Sequence, residues 1–277
     1  MQLKIVDEPP VTKASPFLRW AGGKKWFLKH ISSQLPNNFQ NYHEPFLGGG
    51  AVFFNTENQK RNYLSDLNEE LINTYIEIRD NVGKVISQLK RFKNTEEEYY
   101  KIRSRTFKET YAKAAQFIYL NMTSFNGIYR VNRQGNYNVP YGYRFTIDFV
   151  QEDILILANQ KLKNAILKHQ DFEQSLQVVK KNDFVFIDPP YTVAHENNGF
   201  ILYNQKLFSL EDQYRLAECL KKLTSVGAYF IMTNAYHSKI NEIYKGVGSF
   251  NILDRKSLIG GKGAKRDTIR EYIIKNY

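Results

Sequence analysis

Four apolar residues, Phe184-Val185-Phe186-Ile187, run directly into Asp188-Pro189-Pro190-Tyr191. Proline lacks a backbone N–H and fixes φ, so two in succession end an extended run and stiffen the turn behind it. A short, wholly apolar run that stops this way predicts a strand buried on both faces, as in a parallel sheet. At its mouth the turn presents a carboxylate, a carbonyl locked between two prolines, and an aromatic ring. That set matches a flat, neutral amine on a heterocycle. Carboxylate and carbonyl each accept one N–H of the amine, and the ring stacks on the heterocycle. The exocyclic amines of adenine and cytosine have this form, which points to methyl transfer onto an amino group of nucleic acid.

The rest of the chain alternates in a way that suits such a strand. Short apolar runs at Tyr42–Phe46, Asn62–Leu64, Ala165–Leu167, Tyr229–Met232 and Tyr272–Ile274 are further strand candidates. Helical patterns cover Lys24–Gln34, Gly50–Thr56, Glu69–Asn81, Gly83–Phe92 and Ser209–Leu223. Ser209 with Asp212 three residues on has the form of a helix N-terminal capping box. Strands alternating with helices predict an α/β fold, a mostly parallel Rossmann-like sheet with helices on both faces. The alternation stops between about Glu69 and Lys161, where helices dominate and a Gly- and Asn-rich stretch follows. The organisation expected is a catalytic domain formed by 1–68 and 162–277. Residues 69–161 then form an inserted helical recognition domain, carrying a β-hairpin over 126–145.

Charge narrows the partner. The chain has 39 Lys and Arg against 28 Asp and Glu, a net +11 over 277 residues. Between Lys101 and Gln170 stand 11 basic and 4 acidic residues, interleaved with aromatics such as Phe107, Phe125, Tyr129 and Tyr143. A basic surface with aromatics suits phosphates and exposed bases. No apolar stretch approaches the roughly 18 residues of a membrane span, and no signal-peptide pattern opens the chain. A cytoplasmic protein is expected. The single cysteine, Cys219, falls in a helical pattern and reads as a core residue. The five histidines have no metal-ligand spacing, so no metal is expected.

A second motif supplies a cofactor site. In Glu44-Pro45-Phe46-Leu47-Gly48-Gly49-Gly50-Ala51-Val52-Phe53 a strand feeds a glycine-rich turn and then a helix. Such a turn lets backbone approach a bound nucleotide closely. Asp66 ends the next short strand, where its carboxylate suits the two ribose hydroxyls. A dinucleotide fingerprint would want a further glycine near Phe53, and a P-loop would want a hydroxyl after Gly23-Lys24. Both are missing. A phosphate-free adenosine cofactor, S-adenosylmethionine, fits better.

In this order the motifs resemble those of the DNA adenine methyltransferase (Dam) family of bacteria and their phages. Pro16-Phe17-Leu18-Arg19-Trp20-Ala21-Gly22-Gly23-Lys24 is similar to the family's N-terminal cofactor motif, Glu44 to Phe53 to its glycine-rich motif, and Ser65-Asp66-Leu67-Asn68 to its ribose-binding acid. Asn126-Gly127-Ile128-Tyr129-Arg130-Val131-Asn132, with Gly135 to Gly142, resembles its recognition hairpin, and Asp188 to Tyr191 its catalytic motif. Arg19 stands where the family often has lysine, and Gly50 where it often has Ala or Ser.

The resemblance implies site-specific methylation of N6 of an adenine flipped out of duplex DNA. S-adenosylmethionine is the donor, S-adenosyl-L-homocysteine the product, and no metal takes part. It assigns Asp188, Pro189, Pro190 and Tyr191 to catalysis. Trp20, Ala21, Gly22, Lys24, Phe46, Gly48, Gly50, Asp66, Asp171, Phe172 and Asp188 are assigned to the cofactor. It gives DNA contact to Arg19, Phe125, Asn126, Ile128, Arg130, Asn132, Pro140 and Tyr143. GATC is the site these residues match best, and a separate cognate restriction endonuclease is a partner the family allows. Thr192–Gly199 is expected to close over the base, with no catalytic part for His195, and Ser257–Arg266 lies where it can touch the DNA backbone. N4-cytosine methylation, RNA methylation and a non-catalytic DNA-binding regulator on the same fold are the alternatives. Asp188 and the motif order favour adenine, the groove-reading hairpin suits DNA better than RNA, and the intact motifs disfavour a regulator.

Overall fold

The computed structural model describes residues 13–24, 27–31, 34–57, 59–132, 134–192, 208–256 and 268–277. The chain divides into two compact units. One comprises Met1–Lys24, Gly48–Thr56 and Glu70–Lys163; the other comprises Lys25–Leu47, Glu57–Glu69 and Asn164–Tyr277.

The second unit is a 7-stranded sheet. Its strands are β1 (Tyr42–Glu44), β2 (Asn62–Asp66), β3 (Ala165–His169), β4 (Phe184–Ile187), β5 (Tyr229–Ala235), β6 (Ser249–Lys256) and β7 (Thr268–Lys275). They lie in the order β3-β2-β1-β4-β5-β7-β6. The first five in that order run parallel, and β7 is antiparallel to both its neighbours. The apolar run before the prolines is β4 itself, and all four of its residues are buried. On one sheet face Val185, Ile187, Phe230 and Met232 pack with Leu216, Leu220 and Leu223 of a helix over Leu210–Ser225. Phe172 and Leu176 of the short helix Phe172–Leu176, and Ile240 of Ser238–Ile243, join the same cluster. On the other face Phe27, just before the short helix Leu28–Ile31, stacks on Phe186 with ring centroids 6.1 Å apart. Helices on both faces thus explain why β4 needs no polar side. In chain order these helices are α1 (Leu28–Ile31), α7 (Phe172–Leu176), α8 (Leu210–Ser225) and α9 (Ser238–Ile243). The capping box at Ser209 and Asp212 forms as expected at the start of α8.

The helical unit contains α2 (Ala51–Asn55), α3 (Glu69–Leu89), α4 (Glu96–Ser104), α5 (Thr110–Thr123) and α6 (Glu152–Leu162). The two helices expected over Glu69–Asn81 and Gly83–Phe92 are the two halves of the Glu69–Leu89 segment, separated at Asn81, whose φ of −136° and ψ of 30° leave helical space. Tyr75 and Ile78 are buried before that break, and Val85 and Leu89 after it. The core here is rich in tyrosine. Buried phenols donate to main-chain carbonyls, Tyr99 to Val139 and Tyr119 to Lys93, both at 2.8 Å. Each polar tip is satisfied, so the ring area is buried without leaving an orphaned hydroxyl. Burial pushes the Tyr137 phenol up to about 12. The expected hairpin is looser than a β-ladder: it closes through isolated bridges, Ser124 with Tyr141 and Val131 with Tyr137. Arg133 within it, and the expected loops 193–199 and 257–266, lie outside the described residues. Among the described residues no helix is long and apolar enough to cross a membrane, and no cluster of His, Cys, Asp or Glu can hold a metal ion.

One buried polar node braces the amino end of β4. The Asp183 carboxylate is 1% exposed and accepts from the Asn41 amide and side chain, the Lys180 amide and His43 Nε2, the last at 2.9 Å. Burial acts to raise the Asp183 pKa, but the bonds from His43, Lys180 and Asn41 outweigh it and hold the carboxyl below the usual range. A depressed folded pKa stabilises the fold above the unfolded value and is lost as pH falls through the folded one. Replacing Asp183 with Asn is expected to cost about 2–4 kcal/mol at pH 7. In urea unfolding the gap to wild type should narrow as pH drops below about 4.

Candidate active site and nucleic-acid interface

The order of the sheet reverses between β1 and β4. From β1 the chain builds outward through β2 to β3, whereas β4 and β5 extend the other way. Such a switch point leaves a crevice beyond the carboxyl ends of the two central strands, the usual ligand site of an open α/β sheet. Pro45-Phe46 follows β1 there, and Asp188-Pro189-Pro190-Tyr191 follows β4.

Both functional groups of the latter turn are held from the neighbouring strands. Thr233 on β5 is fully buried, and its hydroxyl donates to Asp188 Oδ1 at 2.7 Å. This bond orients the carboxylate. The Tyr191 hydroxyl donates to Glu271 Oε2 of β7 at 2.6 Å. Burial first, then the charges of Asp188 and Glu271, push this phenol well above its ordinary value of 10.0. It therefore stays protonated and a donor. Neither Thr233 nor Glu271 carries a motif signal, and only the strand register brings them to the turn.

Around the rest of the crevice, Asp66 ends β2 and its carboxylate accepts the Asn68 amide at 3.0 Å. Phe46 is half-buried and stacks on Phe172 with centroids 5.5 Å apart. Asp171 caps α7 through the Glu173 amide and pairs with Arg215 at 2.9 Å. The structure therefore gives Asp171 two structural partners. Cys219 is buried, and burial pushes its thiol up to about 11, so it is no thiolate nucleophile at neutral pH.

In the helical unit the glycine turn and the N-terminal motif meet. Gly48 and Gly50 have positive φ, 47° and 64°. A Cβ on Gly48 would stand 2.7 Å from Trp20 Cδ1, so the indole seats directly on the turn. Its other contacts are aromatic: Trp20 stacks on Tyr129 at 5.6 Å and on Phe117 at 6.3 Å. Ala21 and Gly22 are exposed, while Lys24 is buried with Nζ on the Gly22 carbonyl.

The residues expected to meet DNA separate by exposure. Phe125, Asn126, Arg130, Asn132, Pro140 and Tyr143 are exposed, whereas Ile128 and Arg19 are half-buried. Asn126 and Tyr143 both take positive φ, 55° and 52°, a conformation uncommon for non-glycine residues that marks sites held by their surroundings. The Phe125 amide donates to the Pro140 carbonyl at 2.9 Å, placing these two side by side. Arg130 donates through Nε to Asn138 Oδ1 at 2.8 Å, which fixes the guanidinium on the facing arm. Asn132 accepts from the Gln134 and Asn136 amides and so shapes the turn. Of the interleaved aromatics Phe107, Phe117, Tyr119 and Tyr141 are buried and belong to the core.

Sequence reasoning missed the residue that organises this surface. Asn121 is 0% exposed; its Oδ1 accepts the Arg19 amide and its Nδ2 donates to the Arg19 and Gly127 carbonyls. Arg19 packs so closely on Gly127 that a Cβ there would sit 2.6 Å from Arg19 Cδ. Burial, then the charge of Arg144, lowers the Arg19 pKa, and its buried Nη1 has no partner among the described residues.

Residues 20–259 match the family model of the D12 class N6 adenine-specific DNA methyltransferases. The chain is 36% identical over 274 residues to Type II methyltransferase M1.LlaDCHI of Lactococcus lactis subsp. cremoris, covering 95% of each protein. It is 36% identical over 291 residues to Type II methyltransferase M.MjaIII of Methanocaldococcus jannaschii, covering 96% of this chain and 100% of the relative. It is also 31% identical over 272 residues to the DNA adenine methylase of Haemophilus influenzae, covering 95% of this chain and 94% of that protein. With more than half its length in the family match and full-length relatives above 30%, the chain belongs to the D12 class of N6 adenine-specific DNA methyltransferases.

Proposed function

We propose that the chain methylates N6 of an adenine flipped out of a short duplex site, GATC by the match of its recognition residues, using the Asp188–Tyr191 turn to bind the amine. The observation that carries this reading is the turn's position at the β1/β4 switch point, with Asp188 already oriented by Thr233. Extruding the base costs about a few kcal/mol, offset by stacking on Tyr191. The Asp188 carboxylate and the Pro189 carbonyl accept the two N6 hydrogens. An aromatic amine is a poor nucleophile because its lone pair is delocalised into the ring. Holding both N–H bonds out of the ring plane restores lone-pair density on nitrogen, aimed away from the two acceptors. Positioning and electrostatic stabilisation then carry a direct displacement, and no covalent enzyme intermediate is needed.

S-adenosylmethionine, when bound, supplies the electrophilic methyl group. The chain's residues fit it in two respects. In the sheet unit Asp66 ends its strand with a carboxylate suited to ribose hydroxyls, beside the apolar Phe46–Phe172 pair. In the helical unit Gly48 and Gly50 have the side-chain-free backbone that close approach requires, and the resemblance assigns Trp20, Ala21, Gly22 and Lys24 to the same ligand.

Recognition belongs to the helical unit. Arg130, steadied by Asn138, suits a bidentate contact to guanine in the major groove. Phe125 at 52% exposure, on its strained turn with Asn126, suits the gap left by an extruded base. Ile128, Pro140 and Tyr143 add base and backbone contacts. Two of the relatives are named Type II methyltransferases, which supports a modification role beside a separate endonuclease.

The deciding measurement is transfer of label from S-adenosylmethionine to duplexes carrying GATC, GTTC or scrambled sites. Label confined to adenine N6 of GATC is expected; label on genomic DNA but not on GATC would remove the proposed site and keep the reaction. Asp188→Ala should lower kcat by about a thousandfold while DNA binding persists, and wild-type turnover would refute its role. Arg130→Ala should erode discrimination against guanine substitutions by about 1–3 kcal/mol, read as kcat/KM ratios on single-base variants of the site. Asn138→Ala should reproduce part of that loss without touching DNA.

A further inference from the structure

Glu271 is a charged residue where the strand pattern calls for an apolar one. On β7 it alternates with Ile273, which is 2% exposed, and it is itself 1% exposed. Taking a carboxylate out of water costs several kcal/mol unless it is well bonded. Its register explains what it serves. Glu271 pairs with Ala235 at the carboxyl end of β5, so it shares a sheet face with Ala235 and with Thr233 two residues earlier. Thr233 bonds Asp188 and Glu271 bonds the Tyr191 hydroxyl, the latter at the 2.6 Å of a charge-assisted bond.

We infer that Glu271 is a positioning residue for methyl transfer: by accepting the Tyr191 hydroxyl it holds that ring in the orientation that stacks on the extruded adenine. The inference rests on the reading of Asp188–Tyr191 as the amine-binding turn. A tyrosine ring turns about two side-chain torsions, and pinning its far end removes that freedom. Reacting groups must be held to within about 0.5 Å, and the ring sets where the amine lies relative to Asp188 and the Pro189 carbonyl. In this role Glu271 acts on the reaction through the Tyr191 hydroxyl.

The test uses the full chain and compares Glu271→Leu, Glu271→Gln, Tyr191→Phe and the double variant Tyr191→Phe/Glu271→Leu. Single-turnover methylation is measured together with DNA affinity and the emission of 2-aminopurine at the target position. Emission from this base is quenched when it stacks and rises when it is extruded without a partner. Glu271→Leu and Tyr191→Phe should each slow the single turnover by about 10- to 100-fold. DNA affinity should stay within about threefold, and 2-aminopurine emission should rise. The double variant should be no slower than the slower single, since the Tyr191–Glu271 bond is lost in all three. Glu271→Gln, whose amide oxygen still accepts, should stay within about threefold of wild type.

Wild-type turnover by Glu271→Leu, or multiplying effects in the double variant, would overturn the inference. Should Glu271→Leu fail to fold, Tyr191→Phe decides from the other end of the bond, and unchanged turnover and emission there overturn it equally. A wild-type chain that methylates no DNA would instead strike down the reading of the turn itself, an outcome separate from any difference among the variants.

Discussion

A parallel sheet whose order reverses cannot close the gap beyond its two central strands, and the layout of the sheet unit follows from that constraint. At β1 and β4 the connections leave in opposite directions, so the residues after each strand border the crevice between their carboxyl ends. The turns that follow these two strands are opposite in character. After β1 the chain passes to the glycine turn of the helical unit, whose positive-φ Gly48 and Gly50 carry no side chain to keep a ligand from the main chain. After β4 comes a proline-stiffened turn whose carboxylate and carbonyl point in set directions. Under the proposed function, the first would suit a cofactor and the second the amine of an extruded base.

The antiparallel strand is what lets the crevice be furnished from a third side. Parallel strands deliver to the crevice only the residues at and beyond their carboxyl ends. β7 runs the other way, so an early residue, Glu271, arrives at the same level as the late residues of β5. Thr233 and Glu271 then support Asp188 and Tyr191 from adjacent strands. Beyond Glu271 the strand is apolar and buried on both faces through Tyr272, Ile273 and Ile274, with Tyr272 and Ile274 packed into the core beside α8.

Legibility in the sequence followed the range of the interaction. β4 was predicted to the residue because four apolar side chains and two prolines define both its nature and its end. The cap of α8 was equally plain, since Ser209 and Asp212 act on each other across one turn. β6 went unseen: Asn251, Ile252 and Asp254 are all exposed, so an edge strand lacks the clean alternation that would announce it. The break in α3 was legible too, because Asn81 and Gly83 locally favour one and the backbone leaves helical space at Asn81. The recognition segment gave its turn residues but suggested a regular hairpin, whereas side-chain bonds from Asn132 and Asn138 shape it in place of a full ladder. Thr233, Glu271 and Asn121 were invisible for a common reason. Each acts on a residue 45 to 102 positions away in the chain, and no local pattern encodes that pairing.

These three residues also show the same physical solution in both units. In each case a group of the proposed site has a buried polar side chain behind it that takes up one of its bonding sites. Thr233 stands behind Asp188, Glu271 behind Tyr191, and Asn121 behind the main chain of Arg19 and Gly127. Burial makes each supporting bond stronger than it would be in water and makes losing one partner expensive. That asymmetry is what rigidity requires. A supporting residue exposed to solvent could exchange its bond for water at little cost, and the group in front of it would wander. Buried, it has no such exchange, so the group in front of it reaches its ligand with its direction already fixed.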